Sequence, residues 1–288
     1  CCWRVAEAAF PGIPVKIAYV CTNYNNTHYS REAVRSLLLN TGHSYAIVIV
    51  DNASAAPSIA ELQALAADFP DVHLILNQDN VGYFRGLNLG IAHLRRTRPD
   101  IEWMVVGNND LEFPADFADR LESNSERWRR FPVVCPDIVT PAGEHQNPHV
   151  ISGISPLREV FYSLYYSNYF LGLLIHRLAM RFRSFSDRSD ESEWEIPRPI
   201  YQGHGSCYLL GPAFFPLFEE LWAPTLLMSE EFFLSKQLAD AGHQAYYDPA
   251  IRVIHHWHGA LNDLPNKRRW ALARDAHREY RKYVKIFG

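Results

Sequence analysis

The chain of 288 residues has no apolar run long enough to cross a membrane, which takes about 20 residues, so no spanning segment is expected. It has no basic excess either. The formal net charge is -4 and no interleaved basic and aromatic motif occurs, which argues against a nucleic-acid partner. Cysteine is scarce and unpatterned: Cys1, Cys2, Cys21, Cys135 and Cys207 are odd in number and lack metal-ligand spacing. They read as free thiols of a protein kept in a reducing compartment. There is no internal repeat, and the first residues lack the basic, apolar and small-residue regions of a secretory leader. The expectation is a cytoplasmic protein whose fold starts near Ile13. What the chain does have is 48% hydrophobic residues, ample for the core of one large α/β domain or two small ones.

Strand-like and helix-like stretches alternate through the first half. Residues 15–20, 46–50, 72–76 and 103–106 are short apolar runs of the kind found in strands covered on both faces. Helical patterns fall between them, at 30–39, 58–68 and 86–95. Strands separated by single helices imply right-handed crossovers and a parallel sheet. Ligands of such sheets bind beyond the carboxyl ends of the strands, and Thr22, Asp51, Asn80 and Asp110 all lie just after strand ends. The second half is less regular. Expected there are a strand within 132–139, a long Tyr- and Leu-rich helix over 159–183 and a polar loop over 184–199. Strand-containing segments follow at 208–215 and 244–254, with a helix over 231–241 closed by Gly242 between them. The tail, 267–287, is helical, basic and amphipathic. It either lies on an anionic membrane or packs on the domain with a solvated basic face.

Five motifs carry chemistry, and each also has a plainer reading. Asp51, in Val-Asp-Asn-Ala-Ser at 50–54, can accept a hydrogen bond from a base or ribose, though Asp, Asn and Ser also simply build turns. The turn from Asn80 to Gly90 brings glycines and a helix N-terminus suited to phosphate, with Arg85 adding positive charge. Its spacing is not the dinucleotide fingerprint, which argues against a nicotinamide enzyme. Asp110, in Gly107-Asn108-Asn109-Asp110, offers a carboxylate to a hard cation whose other ligands come from substrate phosphates; otherwise it is a loop acid. Glu230 and Glu231 open a helix, where the dipole alone favours acids. Their side chains point about 100° apart, so only one need face a cleft as general base. His255, His256 and His258 follow a strand. Alternation puts His255 on one side and the other two on the opposite side, and such a cluster can hold a metal.

Taken together in this order, the motifs resemble family 2 glycosyltransferases of the GT-A fold, most closely bacterial enzymes that build capsule, O-antigen or other surface polysaccharides, over residues 15–260. The resemblance implies an α/β architecture with a mostly parallel central sheet flanked by helices. It implies one domain over 13–265, divided into a nucleotide-sugar half (13–115) and an acceptor half (116–265), followed by the basic helix of 266–288. The donor would be a nucleoside-diphosphate sugar met by Thr22, Tyr24, Asp51, Asn80, Gly82, Asn88 and Asn108, with Arg85 joining on the charge argument. Asp51 suits the N3–H of uracil or thymine. Asp110 would bind a divalent cation, Mg2+ or Mn2+, with His255 as second ligand.

Gln146-Asn147-Pro148 and His204-Gly205-Ser206 resemble acceptor-side segments, so His204 is placed there. In the acid pair the second member is the implied base, which selects Glu231, with Glu230 beside it. The chemistry implied is inverting transfer to a glycan or lipid-linked glycan. The chain departs from the pattern at Gly259-Ala260-Leu261, where relatives carry Ser near the diphosphate, leaving His256 or His258 to serve instead. The aromatic stretch from Phe161 to Met180 is core, acceptor-site wall, dimer surface or membrane-dipping helix, so a second copy and the inner face of the plasma membrane are candidate partners. Two rivals stand against this reading. A nucleotidyltransferase would carry a Gly- and Lys-rich phosphate loop near the first strand, and Thr22 to Asn26 has none. A non-catalytic carbohydrate binder would lack metal-dependent donor hydrolysis.

Overall fold

The computed structural model describes residues 17–39, 42–153, 156–181, 189–256 and 267–284. The first half builds β1 (Ile17–Asn23), α1 (Thr27–Leu38), β2 (Tyr45–Asp51), α2 (Ala56–Asp68), β3 (Val72–Leu76), α3 (Tyr83–Thr97) and β4 (Trp103–Asn108). The four strands are parallel in the order β3-β2-β1-β4. Every residue of β2 is buried, as its unbroken apolar run requires of a strand covered on both faces. Alternation divides the strands between two cores. Tyr19, Ile47, Ile49 and Val105 face one layer, with Val34 and Leu37 of α1 and Leu62 and Leu65 of α2. Val20, Val48, Val50 and Val106 face the other, with Phe84, Leu87, Ile91 and Leu94 of α3. That helix lies so close to the sheet that a Cβ at Gly90 would come within 2.4 Å of Val20.

The second half holds β5 (Leu111–Glu112), α4 (Phe117–Trp128), β6 (Val133–Val139), α5 (Pro156–Tyr165), α6 (Tyr169–Arg181), β7 (Arg198–Ile200), β8 (Cys207–Leu210), α7 (Glu230–Asp240), β9 (Ala245–His255) and α8 (Lys267–Tyr280). The sheet continues from β4 through β8, β6 and β9 to β5, with β7 paired to β9. It is not parallel throughout: β8 runs antiparallel to both β4 and β6. The single long helix expected over 159–183 is two helices. Asn168 breaks it by accepting hydrogen bonds from the backbone of Phe170 and Leu171, an N-cap for α6. α4 was not expected; it buries Phe117, Leu121 and Trp128 in the first core. Cys21, Cys135 and Cys207 are buried free thiols. Among the described residues no helix is long and apolar enough to cross a membrane.

α8 is packed on the domain. Trp270, Ala276, His277 and Tyr280 are buried, and Tyr280 joins Phe232 and Phe233 in a small third core. The expectations placed on His258 and on Gly259-Ala260-Leu261 lie outside the described residues.

Candidate active site

The carboxyl ends of β1, β2 and β4 are tied by a buried polar network centred on Asn23. Its amide donates to Asp51 Oδ1 (2.9 Å), and its Oδ1 accepts from Ser30 Oγ (3.0 Å) and Asn109 Nδ2 (3.1 Å). Asp51 is wholly enclosed. Its carboxylate also accepts from the backbone of Ser54 (2.8 Å) and from the Ser54 hydroxyl (2.5 Å). The carboxylate expected at a nucleobase is thus bonded inward, where it braces the turn after β2. Thr22 stands between Val50 and Asn108 in register, and Tyr24 is exposed just beyond it.

The glycine-rich turn is also committed to the fold. Gly82 has φ +95 and ψ -175, a region open essentially to glycine, and a Cβ there would lie 2.0 Å from the Leu226 carbonyl oxygen. Asn80 Oδ1 accepts from the Gly82 amide at 3.0 Å. Arg85 donates to the carbonyls of Ala223 (3.1 Å) and Pro224 (3.4 Å), and the Asn88 amide makes a reciprocal pair with the backbone of Leu221 (2.7 and 2.9 Å). The residues expected to meet a nucleotide here therefore hold the 221–226 segment against α3.

Next to this network lies a set of unmatched groups. Asp110 Oδ1 is shut off from solvent and accepts no hydrogen bond. It lies 3.3 Å from His255 Nε2. His255 Nδ1 is 2.7 Å from Gln146 Oε1, which can only accept, so Nδ1 is a donor. In the neutral ring Nε2 then carries a lone pair, and it faces Asn108 Nδ2 at 3.2 Å. Two electron-pair donors, Asp110 Oδ1 and His255 Nε2, thus confront each other across a gap that a proton or a cation would bridge. A histidine held by a side-chain oxygen on its other nitrogen is the usual arrangement of a metal ligand. Gln146 therefore has a role that its place in the acceptor-side segment did not suggest. His256 points elsewhere and pairs with Glu112 at 2.8 Å. No group of three or more His, Cys, Asp or Glu converges among the described residues, so substrate oxygens would complete the shell.

The acid pair starts α7. Glu230 is buried, its Oε1 has no hydrogen-bond partner, and burial together with the Glu231 charge pushes its carboxyl up to about 8. Glu231 lies against Gly205, where a Cβ would come within 2.6 Å of its Oε1, and it lines an open cavity. Tyr83 links the regions: its hydroxyl donates to the Gly205 carbonyl at 2.8 Å, and Glu230, Glu231 and Asp110 all act on the phenol, whose acidity burial already suppresses. Sequence reasoning passed over Tyr83, whose only signal was its place inside the Gly-rich turn. His204 stands beside His255 with ring centroids 5.6 Å apart, and its Nδ1 is 3.0 Å from Ser206 Oγ. The structure therefore gathers Asp110, His255, Asn108 and His204 in one place, with Glu230 and Glu231 across Tyr83.

A parallel α/β half that ends in a polar strand edge, joined to a mixed second half, is the architecture of the GT-A glycosyltransferase fold. The glycosyl transferase family 2 model matches residues 20–186, more than half of the chain, and the chain belongs to that family. N-acetylglucosaminyl-diphospho-decaprenol L-rhamnosyltransferase from two Mycobacterium tuberculosis strains is 25% identical over 248 residues, covering 82% of this chain and 75% of the relative. Among solved structures, GalNAc-T7 with UDP, GalNAc and Mn2+ superposes with a TM-score of 0.52 at 13% identity, over 85% of this chain. The chain spans 44% of that protein's length. The mannosyltransferase PcManGT from Pyrobaculum calidifontis, in complex with GDP-Man and Mn2+, gives 0.51 at 13% identity, over 97% of this chain and 69% of its own. At such identities these structures speak for the fold.

Proposed function

We propose that the chain transfers a sugar, with inversion, from a UDP or dTDP donor to a glycan or lipid-linked glycan acceptor in cell-surface polysaccharide synthesis. Asp110 and His255 would hold the Mg2+ or Mn2+ ion, and Glu231 would be the base. The observation that carries this reading is the buried, unbonded Asp110 Oδ1 at 3.3 Å from Nε2 of His255, whose Nδ1 is held by Gln146. The two similar structures hold Mn2+ with a nucleotide or sugar nucleotide, and the relative's name specifies a lipid-diphosphate acceptor, which supports both halves of the reading.

In the reaction, Glu231 takes the proton of the acceptor hydroxyl as that oxygen bonds to the anomeric carbon. The bond from that carbon to the nucleoside diphosphate breaks, and its electron pair leaves with the diphosphate. A bound cation supplies charge neutralisation for that leaving group. Glu230, held protonated at neutral pH, leaves a single negative charge on the pair, and Glu231 is the member that reaches the cavity. Asn108 and Thr22, paired in register at the ends of β4 and β1, would meet the donor.

Thermal stabilisation by a panel of UDP-, dTDP- and GDP-sugars tests this directly. A UDP- or dTDP-sugar is expected to raise the melting temperature in the presence of Mn2+ and much less with chelator. Equal stabilisation with and without the metal would remove the metal from the proposal.

The acceptor's lipid also bears on an exposed surface. Leu157, Phe161 and Leu164 of α5 and Phe170, Leu174 and Leu178 of α6 are all exposed, with Arg158 and Arg177 exposed among them. Apolar patches rimmed by basic residues favour anionic membrane surfaces. The α5–α6 hairpin, rather than the packed α8, is thus our candidate for peripheral membrane contact. Flotation with anionic liposomes is expected for the wild type and lost in Leu157→Asp/Phe170→Asp. Flotation undiminished in that variant would exclude the hairpin, and a dimer that it dissociates would assign the face to a second copy.

A further inference from the structure

Glu231 opens on a cavity of about 250 Å³ walled by α5, α8 and the turn before α7. By volume it would take about eight waters, on the scale of one sugar ring. Its lining combines aromatic faces with a buried polar cluster. Tyr162, Tyr166 and Phe232 supply the faces. Glu159, His277 and Tyr280 form a buried polar cluster in its wall, on residues only 3%, 9% and 6% exposed. Burial, and then the Glu159 carboxylate beside it, push the Tyr280 phenol up. Glu159 Oε2 is 4.0 Å from His277 Nε2, beyond hydrogen-bond distance, and the His277 nitrogen has no partner. Buried polar groups are nearly always paired, so the cluster keeps capacity for an occupant.

We propose that this cavity binds the acceptor's sugar ring, placing one of its hydroxyls at Glu231. The inference rests on the reading of Glu231 as the base. The lining selects the class of ligand. Glu159 and Glu231 set two carboxylates against one lining cation, Arg158, a balance that disfavours a phosphate, and a sugar hydroxyl can both donate to a carboxylate and accept from a phenol. Burial and the Arg281 charge push His277 down to about 4, so it is neutral at pH 7 and offers either a donor or an acceptor rather than a charge. Aromatic walls with a few convergent polar groups are the usual make-up of a small-molecule site.

The sequence pattern fits. Glu159, Tyr162 and Tyr166 recur at intervals of three and four along α5 and just beyond it, on the cavity side, while Leu157, Phe161 and Leu164 lie on the exposed side. His277 and Tyr280 are one turn apart on α8. One helix thus has a sugar-facing edge and a lipid-facing edge, as a lipid-linked acceptor requires.

Saturation-transfer NMR with methyl glycosides of glucose, galactose, mannose, N-acetylglucosamine and rhamnose tests the site. At least one is expected to bind the wild type and to bind about tenfold more weakly to Tyr280→Phe and Glu159→Gln, the loss expected for one hydrogen bond. Both substitutions keep the side chain's shape. No binding of any glycoside to the wild type, or binding undiminished in both variants, overturns the subsite. The same samples are tested for stabilisation by UDP and dTDP with Mn2+. Nucleotide binding without glycoside binding sinks the subsite alone, whereas loss of both in the wild type sinks the functional reading beneath it. Variants that lose nucleotide stabilisation along with the glycoside would show that the two groups hold the fold instead.

Discussion

Asp110→Asn is expected to abolish metal-dependent transfer, by about a thousandfold, while leaving the metal-free protein as stable as the wild type or more so. The two effects have opposite signs because they come from the same atom. In the free protein Asp110 Oδ1 is a buried carboxylate oxygen with no hydrogen-bond donor, 3.3 Å from His255 Nε2. An amide removes the charge and can turn a donor toward the ring, which relieves about 1 kcal/mol of unmet polar burial. For a protein of this size that is a rise of about 2 °C in melting temperature. The same amide makes a far poorer ligand for a hard cation than the carboxylate it replaces. Melting curves with and without Mn2+, beside a transfer assay, read both. A metal-free variant several degrees less stable than wild type would mean that Asp110 braces the fold and that its unbonded oxygen has another explanation.

Glu231→Gln is expected to bind the donor normally and to lose turnover by about a thousandfold, the scale of a positioned general base. Glu230→Gln is expected to keep turnover within about tenfold of wild type, because a protonated Glu230 and a glutamine are both neutral. The two also differ in their pH dependence. Folded Glu230 holds its proton up to about 8, while an unfolded glutamate releases it near 4.5. Between those values the folded state binds more protons, so the contribution of Glu230 to stability is full below about pH 4.5 and is lost as pH rises toward 8. Glutamine has no such loss. The melting temperature of Glu230→Gln should therefore gain on the wild type from pH 5 to pH 8. A constant difference across that range would place a charge on Glu230 at neutral pH and reopen the choice of base.

The alternating half of the fold was legible because each strand there is a closed apolar run between polar turns. Val72–Leu76 is found where its pattern lies, and Tyr45–Asp51 and Trp103–Asn108 differ from expectation only at their ends. α4 escaped because only four of its twelve residues are buried, among charged and polar neighbours. The 159–183 helix was drawn too long because its apolar periodicity runs across Ser167 and Asn168, and the cap there depends on which way Asn168 turns. In the site, the order of the motifs identified the family, but which groups face a ligand depends on atoms distant in sequence. Asn88 is engaged by Leu221 and Arg85 by Ala223, partners more than a hundred residues away. Gln146 matters through a ring that follows it by 109 residues.

The antiparallel strand β8 has a further consequence. It is hydrogen-bonded directly to β4, the Asn108 amide reaches the Ser206 carbonyl at 2.9 Å, and a Cβ at Gly107 would meet that same oxygen at 2.3 Å. The strand that leads to Asp110 and the segment that packs against Glu231 are therefore one inter-strand spacing apart, about 4.8 Å, in a single ladder. Opening that gap would break the β4–β8 hydrogen bonds. The helices α5, α6 and α8, by contrast, add no strand to the sheet. If the cavity beside Glu231 holds the acceptor as proposed, grafting 156–181 together with 267–284 from a relative is expected to exchange acceptor preference while the β4–β8 pairing stays unchanged.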